Sequence, residues 1–271
     1  MTDKNDEIVK ELRERLSNFG RPFDEERCLE LIAQAADVNG NDVNESDTLP
    51  LYFAIAAWRP LSILKALLDK GKDVDVNTNH DLEKPLHVAV KWRRDEAVQE
   101  LLERGADVNA IDNSGETPLD KVLARTPDEA NIRIAHMLLD NGADPCCGTT
   151  TLLQAMENHV PMGLFFRLVE CGLDMNAVNQ KGWTPLMHTV AFDKGGMAMD
   201  FLMEKGVNPF LKNCKGLTAA EIAEASNYPD VADTLREYER TYTENLFKKA
   251  AAQGTPRTRR IRRASGPKMG Q

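Results

Sequence analysis

The sequence predicts an all-α fold built from stacked pairs of short helices, and three periodic features lead to that prediction. A helix-starting residue recurs every 33 to 35 residues, a glycine closes a second apolar run with the same period, and apolar residues between them fall at helical spacing. A pair of helices this short cannot bury its apolar face alone. The pairs must therefore stack to form one continuous core.

The first marker is the residue that begins the first helix of each unit. Proline suits this place because its φ angle is already set and a first-turn residue needs no amide donor. The intervals of 35, 33, 33, 34 and 34 residues predict six units, marked by Pro50, Pro85, Pro118, Thr151, Pro185 and Ala219.

The second marker is the glycine that ends the second helix of each unit. Glycine just past a helix end adopts the left-handed conformation without a Cβ penalty. It recurs at Gly71, Gly105, Gly142, Gly172 and Gly206. Two independent markers that keep one period make a chance repeat a poor explanation.

The clearest unit begins at Lys84 and reads KPLHVAV, followed by an apolar run over residues 97–102 and then RGADVNA from Arg104. This pattern resembles the consensus of the ankyrin-repeat family, and the resemblance covers roughly three quarters of the chain. It implies an ankyrin-repeat solenoid of about six to seven helix-turn-helix units with short β-hairpin fingers. The resemblance implies a fold, and it does not name a partner.

The domain organisation follows from the limits of the repeat. Residues 8–19 predict a charged amphipathic helix, and residues 23–39 resemble the second helix of a degenerate seventh unit that caps the stack. Residues 227–242 predict a closing helix. We therefore expect an N-terminal charged helix (1–22), a solenoid with degenerate end caps (23–243) and a basic disordered tail (244–271).

The composition indicates the cellular compartment in which the protein is expected. No apolar stretch reaches the ~18 to 20 residues of a membrane span, and the first residues lack a signal-peptide pattern. The five cysteines are odd in number and scattered, which favours reduced thiols over a disulfide framework. These features predict an intracellular protein, cytoplasmic or nuclear, and the stack predicts a monomer.

The acidic and basic residues are distributed unequally along the chain. Residues 248–271 carry eight basic and no acidic residues, which leaves a net charge of −17 on residues 1–247. The basic segment has three competing uses: a nuclear-localisation signal, an anchor for phosphate or an acidic partner, or a basophilic-kinase site at Ser265 after Arg262 and Arg263. A merely solubilising end, or one that folds against the acidic body, is the remaining alternative.

One unit departs from the repeat. Only nine residues separate Gly142 from Thr151, against 13 or 14 at the other junctions, which predicts a blunted or absent finger there. The same unit has an insertion at residues 126–131, which lengthens the turn between its helices. Such a turn is either a tolerated insertion or a private contact loop.

Candidate contact residues come from the resemblance, because the family usually binds partners through its finger tips and the exposed positions of each first helix. Aromatic and arginine side chains are enriched in interface hot spots. Trp58-Arg59 lies one position beyond the helix slots and can extend a stripe with Trp92-Arg93-Arg94, although Pro60 favours a helix stop as its role. The predicted partner-binding residues are Lys91, Trp92, Arg125, Glu157, Asn158 and Phe192 on the first helices and Trp183 on a finger.

The sequence carries no recognisable catalytic or metal-binding pattern. The adjacent Cys146 and Cys147 lack zinc-ligand spacing, and no nucleophile-elbow or phosphate-loop motif occurs. His87 occupies the family slot whose histidine ties adjacent hairpins together. Asn109 occupies a slot that is hydroxylated in some family members, although hairpin hydrogen bonding is the commoner role. We expect no enzyme activity, no cofactor and no metal.

The predicted function is therefore a protein-protein interaction module, an adaptor, inhibitor or effector that binds a macromolecular partner on its finger tips and first-helix face. The alternative is a protein associated with nucleic acid or the nucleus through its basic tail, whose binding would fall steeply with salt.

Overall fold

The computed structural model describes residues 2–18, 22–36, 38, 50–70, 84–147, 152–193 and 195–252. Helices form all the regular structure of these described residues, as an all-α fold predicts. The chain divides into two compact units, Met1–His188 and Thr189–Gln271. Each unit is described by itself below.

Unit 1 contains pairs of helices in the order that the repeat predicts. First helices begin at Pro50, Pro85 and Pro118, and α9 begins one residue after Thr151, which lies outside the described residues. The helices are α1 (Thr2–Ser17), α2 (Glu25–Gln34), α3 (Pro50–Ala56), α4 (Leu61–Lys70), α5 (Pro85–Lys91), α6 (Asp95–Glu103), α7 (Pro118–Leu123), α8 (Glu129–Asp140), α9 (Leu152–Glu157) and α10 (Met162–Glu170). Helix α11 (Pro185–Phe192) runs across the unit boundary.

The core of unit 1 lies between the helix layers. First helices α3, α5 and α7 pack side by side, and so do second helices α4, α6 and α8. The apolar positions of the periodic pattern are buried, as in Leu101 and Ile134. Each pair therefore completes the core of its neighbours, which is the physical basis of a repeat stack.

The N-terminal helices close the first end of unit 1. Helix α1 packs against α2 and α3, and Leu12 and Leu16 are fully buried with Cys28. The predicted helix at residues 8–19 exists but begins at Thr2 and ends at Ser17. Burial raises the pKa of the Cys28 thiol, so this cysteine behaves as a small apolar core residue.

The described fingers are closed by turns. The Asn179 amide donates to the Trp183 carbonyl at 3.1 Å, and the Asn213 amide donates to the Leu217 carbonyl at 3.0 Å. The side-chain Oδ1 of each asparagine also accepts two amides of its own turn. Within the described residues these hairpin turns carry no extended strands, so the described fingers are turns where the resemblance implies short β-hairpins.

The shortened finger keeps its first turn. The Cys147 amide donates to the Asp144 carbonyl at 3.2 Å, as the Ala110 amide does to Asp107 in the preceding finger. Residues 148–151 lie outside the described residues, so the predicted blunting beyond this turn stays a prediction.

The described part of unit 2 ends in a long helix. It contains α12 (Met197–Glu204), α13 (Ala219–Ala225) and α14 (Pro229–Ala252), and α13 packs along α14. Tyr238 on α14 donates its hydroxyl to the Val207 carbonyl at 2.7 Å, and its burial raises its pKa to about 12. Helix α14 passes both the predicted helix end at 242 and the predicted tail boundary at 244. The tail prediction beyond Ala252 lies outside the described residues.

Candidate partner-binding surface

The turns between the two helices of a repeat share one backbone motif. Trp58, Arg93 and His159 in unit 1 have φ values of 52°, 56° and 58°, and Asn227 in unit 2 has 61°. The amide after each of these residues reaches back across the helix end, as Arg94 N donates to Ala89 O at 2.9 Å. This is the Schellman arrangement, which normally favours glycine. In unit 1 these turns follow the C-terminal ends of the first helices, a region that we call the turn end.

The predicted exposed stripe at Trp58-Arg59 is wrong for Arg59, because this residue is buried. Arg59 is 7% exposed, and its guanidinium donates to the carbonyls of Leu16 at 2.7 Å and Asn18 at 2.8 Å. It also lies 4.4 Å from the ring centre of Phe23. Arg59 therefore caps the C-terminal end of α1 and is a structural residue. The helix stop expected at this place is confirmed, because α3 ends at Ala56.

Arg94 makes the same kind of contact one repeat later. It is 6% exposed and donates to the carbonyls of Ala54 and Arg59, both at 2.8 Å. Its guanidinium lies 5.5 Å from the Trp58 ring centre. Burial lowers the pKa of both arginines, since a charge in a dry site costs energy. The two arginines form a ladder that joins each repeat to the C-terminal helix ends of the one before it.

The predicted contact residues Lys91, Trp92 and Arg125 meet at the turn end. Trp92 is the residue after the last turn of α5 and is 41% exposed. Arg125 Nη1 donates to the Lys91 carbonyl at 2.8 Å, which brings the Arg125 cation beside this helix end. Lys91 is exposed and Arg125 is half-buried. The structure thus places the Arg125 guanidinium against the carbonyl end of α5, beside the backbone that carries the exposed Lys91 and Trp92.

The predicted residues Glu157 and Asn158 lie one repeat further. Glu157 is the exposed last residue of α9. Asn158 is half-buried, and its Nδ2 donates to the Leu123 carbonyl at 2.7 Å. Asn158 and Arg125 both stand seven residues after their markers, and both donate to a carbonyl near the end of the first helix of the preceding repeat. Both side chains join repeats as well as facing the turn end.

Trp183 and Phe192 belong to separate units. Trp183 is half-buried at the base of its finger, where its amide donates to Asn179 Oδ1 at 3.0 Å. Phe192 ends α11 in unit 2 and is 69% exposed.

Sequence reasoning placed too little weight on Trp58. Its ring is 61% exposed, which is more than Trp92, although its backbone forms the turn. Its neighbour in the next turn, Arg93, forms an ion pair with Asp128 of the inserted turn. The signal available in the sequence was the repeat of a Trp-Arg pair at the two successive turns.

The other singled-out polar residues have structural partners. His87 is buried, with Nε2 3.1 Å from the Glu116 carbonyl, which confirms that it ties its repeat to the next finger. Asn109 Nδ2 donates to the Gly142 carbonyl and its Oδ1 accepts the Asp144 amide at 2.7 Å. The hydroxylation of Asn109 stays a prediction. Ser265 lies outside the described residues.

Asp112 and Lys121 form the most buried ion pair of the described fingers, 2.6 Å apart. Burial opposes ionisation of Asp112, but hydrogen bonds from Lys121 and from the amides of Glu116 and Ser114 outweigh it and lower its pKa. Burial opposes the charge on Lys121 as well, and its bonds to Asp112 and Glu116 raise its pKa. This arrangement stabilises the finger and leaves both groups charged at neutral pH.

The exposed thiols of the shortened finger are not activated. Burial and the nearby Asp144 carboxylate raise the pKa of Cys146, and the hydrogen bond to Asp144 raises that of Cys147. A raised pKa keeps a thiol protonated and poorly nucleophilic. In the part of the chain that the structure describes, no group of three His, Cys, Asp or Glu side chains is placed to hold a metal ion.

Comparison with known proteins agrees with this fold. The model of the family described as ankyrin repeats (3 copies) matches residues 51–149 and 152–245. The chain is 32% identical over 155 residues to human neurogenic locus notch homolog protein 2, which covers 57% of this chain and 6% of that protein. It is 33% identical over 146 residues to zebrafish notch homolog protein 1, covering 54% and 6%. The chain therefore matches only a small part of the length of these relatives.

Solved structures show the same fold. An ankyrin repeat domain from Acinetobacter baumannii aligns with a TM-score of 0.58 at 28% identity, over 70% of this chain and 97% of that one. A chain from the complex of a Bdellovibrio bacteriovorus predatory endopeptidase with an immunity protein aligns with a TM-score of 0.52 at 23% identity, over 69% and 96%.

The fold defines the class of protein, a repeat scaffold for protein-protein interaction. The chain belongs to the ankyrin-repeat family, whose fold is in general a non-catalytic scaffold. Among the described helices, none combines the length and the apolar character that a membrane crossing requires.

Proposed function

We propose that this chain is a non-enzymatic adaptor, inhibitor or effector that holds a protein partner on the turn end of unit 1. The observation that carries the proposal is the exposure of Trp92 beside Lys91 and Arg125. An exposed tryptophan next to cations is the kind of residue that anchors protein interfaces. The neighbouring Trp58 adds a second exposed ring on the preceding repeat.

The rigidity of this surface supports the proposal. Arg125 and Asn158 are fixed by bonds to carbonyls of the preceding repeat, and the ladder of Arg59 and Arg94 fixes the turns that carry Trp58 and Trp92. Side chains that are ordered before binding lose less conformational entropy when a partner arrives. Trp183 and Phe192 are the further contact candidates, one in each unit.

Affinity purification from lysate of the native host, followed by mass spectrometry, tests the proposal. The wild-type chain is compared with Trp92→Ala, Phe192→Ala and a matched control, Met197→Ala, whose side chain is 68% exposed outside the predicted slots. We expect a specific partner that is retained by the control and lost from Trp92→Ala while the melting temperature stays unchanged. A partner retained equally by every variant would contradict the proposed surface.

The basic segment supports a second candidate function. Eight basic and no acidic residues in 248–271 favour association with nucleic acid or entry into the nucleus. A chain ending at Ala252 keeps α14 and removes most of that charge. We expect nucleic-acid binding by the full chain to fall linearly on a logarithmic salt scale and to be absent from the shorter chain. Binding that is unaffected by the truncation would exclude this function.

A further inference from the structure

Helix α14 of unit 2 continues well beyond the part that packs on the last described repeat. It is 24 residues long, whereas the other second helices have 8 to 12 residues. Its last buried residue among those described is Leu235, and residues 244–250 are exposed on every side of the helix. Phe247 is 72% exposed there. A stack needs polar faces at its ends to stay soluble, so an exposed phenylalanine on this helix indicates a contact with another molecule.

A wide, open cleft lies in the same unit, one helical turn before Phe247. It has room for water over a volume of about 490 Å³, which is larger than a phenylalanine side chain. Phe210 forms one wall, and its ring packs edge-on against Tyr242 with 6.2 Å between the ring centres. The other lining residues all belong to α14 and are Arg236, Glu239, Arg240 and Thr243.

Phe247 and the cleft lie on one face of α14. Residues of an α-helix that are spaced alternately by four and three share a face. This spacing joins five residues of α14, which we call the α14 seam: Arg236, Arg240, Thr243, Phe247 and Ala250. One face of one helix therefore carries an exposed ring and, a turn earlier, a cleft that has room for a ring.

Arg240 gives the cleft an unused cation. Arg236 is paired with Glu224, whereas Arg240 forms no ion pair with the carboxylates that the structure describes. A guanidinium is attracted to the face of an aromatic ring, and the attraction grows when both lose water. The cleft thus offers a phenylalanine ring an aromatic wall in Phe210 and a cation in Arg240.

We propose that a second copy of this chain docks on the α14 seam, and that the Phe247 ring of each copy sits in the cleft of the other, between Phe210 and Arg240. This inference goes beyond the proposed function, because it uses unit 2 and not the turn end. The monomer expected from the sequence is then the dilute form of a reversible dimer. Since each copy carries its own turn end, the dimer presents two partner-binding surfaces.

The seam is self-complementary when the two α14 helices run antiparallel. With Thr243 on the two-fold axis, Arg240 faces the second copy's Phe247, and Arg236 faces its Ala250. Thr243 is small, so the two helices can approach closely on the axis. Each contact then occurs twice, which is the condition for a closed symmetric dimer.

Charged residues beside the seam agree with this register. Glu237 comes beside the second copy's Lys248, which joins opposite charges on both sides of the axis. The two copies of Glu244 approach each other near the axis, but each lies within a helical turn of the second copy's Arg240, whose charge offsets their repulsion. The seam is about 21 Å long, at 1.5 Å per residue. Two helices of this length form a small interface, so the dimer is reversible.

Sedimentation velocity of the full chain between about 1 μM and about 1 mM tests the proposal. We expect the sedimentation coefficient to rise from that of a monomer to that of a dimer across this range. Phe247→Ala removes both ring contacts and should weaken dimerisation at least about tenfold. Leu246→Ala is the matched control, because Leu246 is 50% exposed but lines a groove on the other side of α14. The control should dimerise as the wild type does.

Mixing two defective variants tests whether the contact is reciprocal. Phe247→Ala keeps an intact cleft, and Arg240→Ala keeps the ring. A mixed pair therefore contains one complete ring-in-cleft contact, whereas each variant alone contains none. With one variant fluorescently labelled, we expect the mixture to associate at least about threefold more tightly than either variant alone. This gain also requires that both variants are folded.

Four results would overturn the proposal. The first is a chain that stays monomeric at every concentration, and the second is a dimer that Phe247→Ala leaves unchanged. The third is a mixture that associates no better than its components. The fourth is a monomeric chain that binds anionic lipid vesicles through Phe247, since a lipid surface would then cover the seam. The proposed function would survive each of these results, because its own test depends on Trp92.

Discussion

Two junctions between adjacent repeats of unit 1 solve the same problem differently. Between α3 and α5, Arg94 enters the preceding repeat and donates to the carbonyls of Ala54 and Arg59. Between α7 and α9, Val160 stands in the place of that arginine and lines an apolar cleft. A buried arginine that satisfies several carbonyls makes a junction tight. A valine in its place makes no such bonds, and this junction is joined instead by apolar packing and by the bond from Asn158 to the Leu123 carbonyl.

Replacing Arg94 should give the largest effect, because it breaks the tight junction. Arg94→Met keeps an unbranched apolar side chain but leaves the carbonyls of Ala54 and Arg59 without their donor. We expect a loss of about 3 kcal/mol in the free energy of unfolding, measured by urea denaturation. Arg93→Gln, which removes only an exposed ion pair, is the matched control and should cost below about 1 kcal/mol. Equal effects of the two variants would contradict the ladder.

Replacing Asp112 tests the buried ion pair between Asp112 and Lys121. Asp112→Asn keeps the Oδ1 acceptor, as Asn179 and Asn213 do in later fingers, but removes the charge that faces Lys121. We expect a loss of about 1.5 kcal/mol at pH 7, since the pair is buried and hydrogen-bonded. The hydrogen-exchange protection of the α6 backbone amides should be unchanged in this variant.

The stabilisation by the Asp112–Lys121 ion pair depends on pH with a definite sign. The pKa of Asp112 is lowered in the folded chain, so its stabilisation is present above the unfolded pKa of about 3.9 and is lost as the pH falls through the folded value. The difference in stability between wild type and Asp112→Asn should therefore shrink below about pH 4. A difference that persists at low pH would mean that the carboxylate charge contributes nothing.

Extending the ladder should sharpen the comparison. Val160→Arg places a guanidinium where Arg94 stands in its own repeat, within reach of the carbonyls at the C-terminal end of α7. We expect a gain of about 1 kcal/mol in the free energy of unfolding, measured by urea denaturation. A loss of stability would show that the inserted turn has changed the junction too far for an arginine to fit.

The turn residues should give the smallest effect. His159 has a φ of 58°, a conformation that costs a side chain more than it costs glycine. His159→Gly should raise the free energy of unfolding by about 0.5 kcal/mol, the relief of strain less the added entropy of the unfolded chain. Gly142→Ala, at a φ of 85°, is the converse control and should be destabilising. A stabilising Gly142→Ala would contradict the strain argument.

Much of the fold could be predicted because its signals are local. Proline at 50, 85 and 118 begins helices for reasons contained in one residue, and Gly142 ends one in the same way. The resemblance to the ankyrin family also predicted that His87 bonds to neighbouring backbone, and its contact with the Glu116 carbonyl confirms this. The candidate site stays a prediction, because counting from a marker selects side chains on the first helices without stating how deep each one lies.

The sequence by itself determined the period and the helix starts. It also predicted Lys91, Trp92 and Arg125 as contact residues on the first helices, although Trp92 and Arg125 lie just beyond the ends of α5 and α7. Only the tertiary structure decided that Arg94 is buried and that Trp58 stays exposed, although both belong to the same Trp-Arg pattern. The reason is distance along the chain: the carbonyls that receive Arg94 lie 35 to 40 residues before it. A cation becomes a core residue only where another segment supplies its acceptors, and no local pattern contains that information.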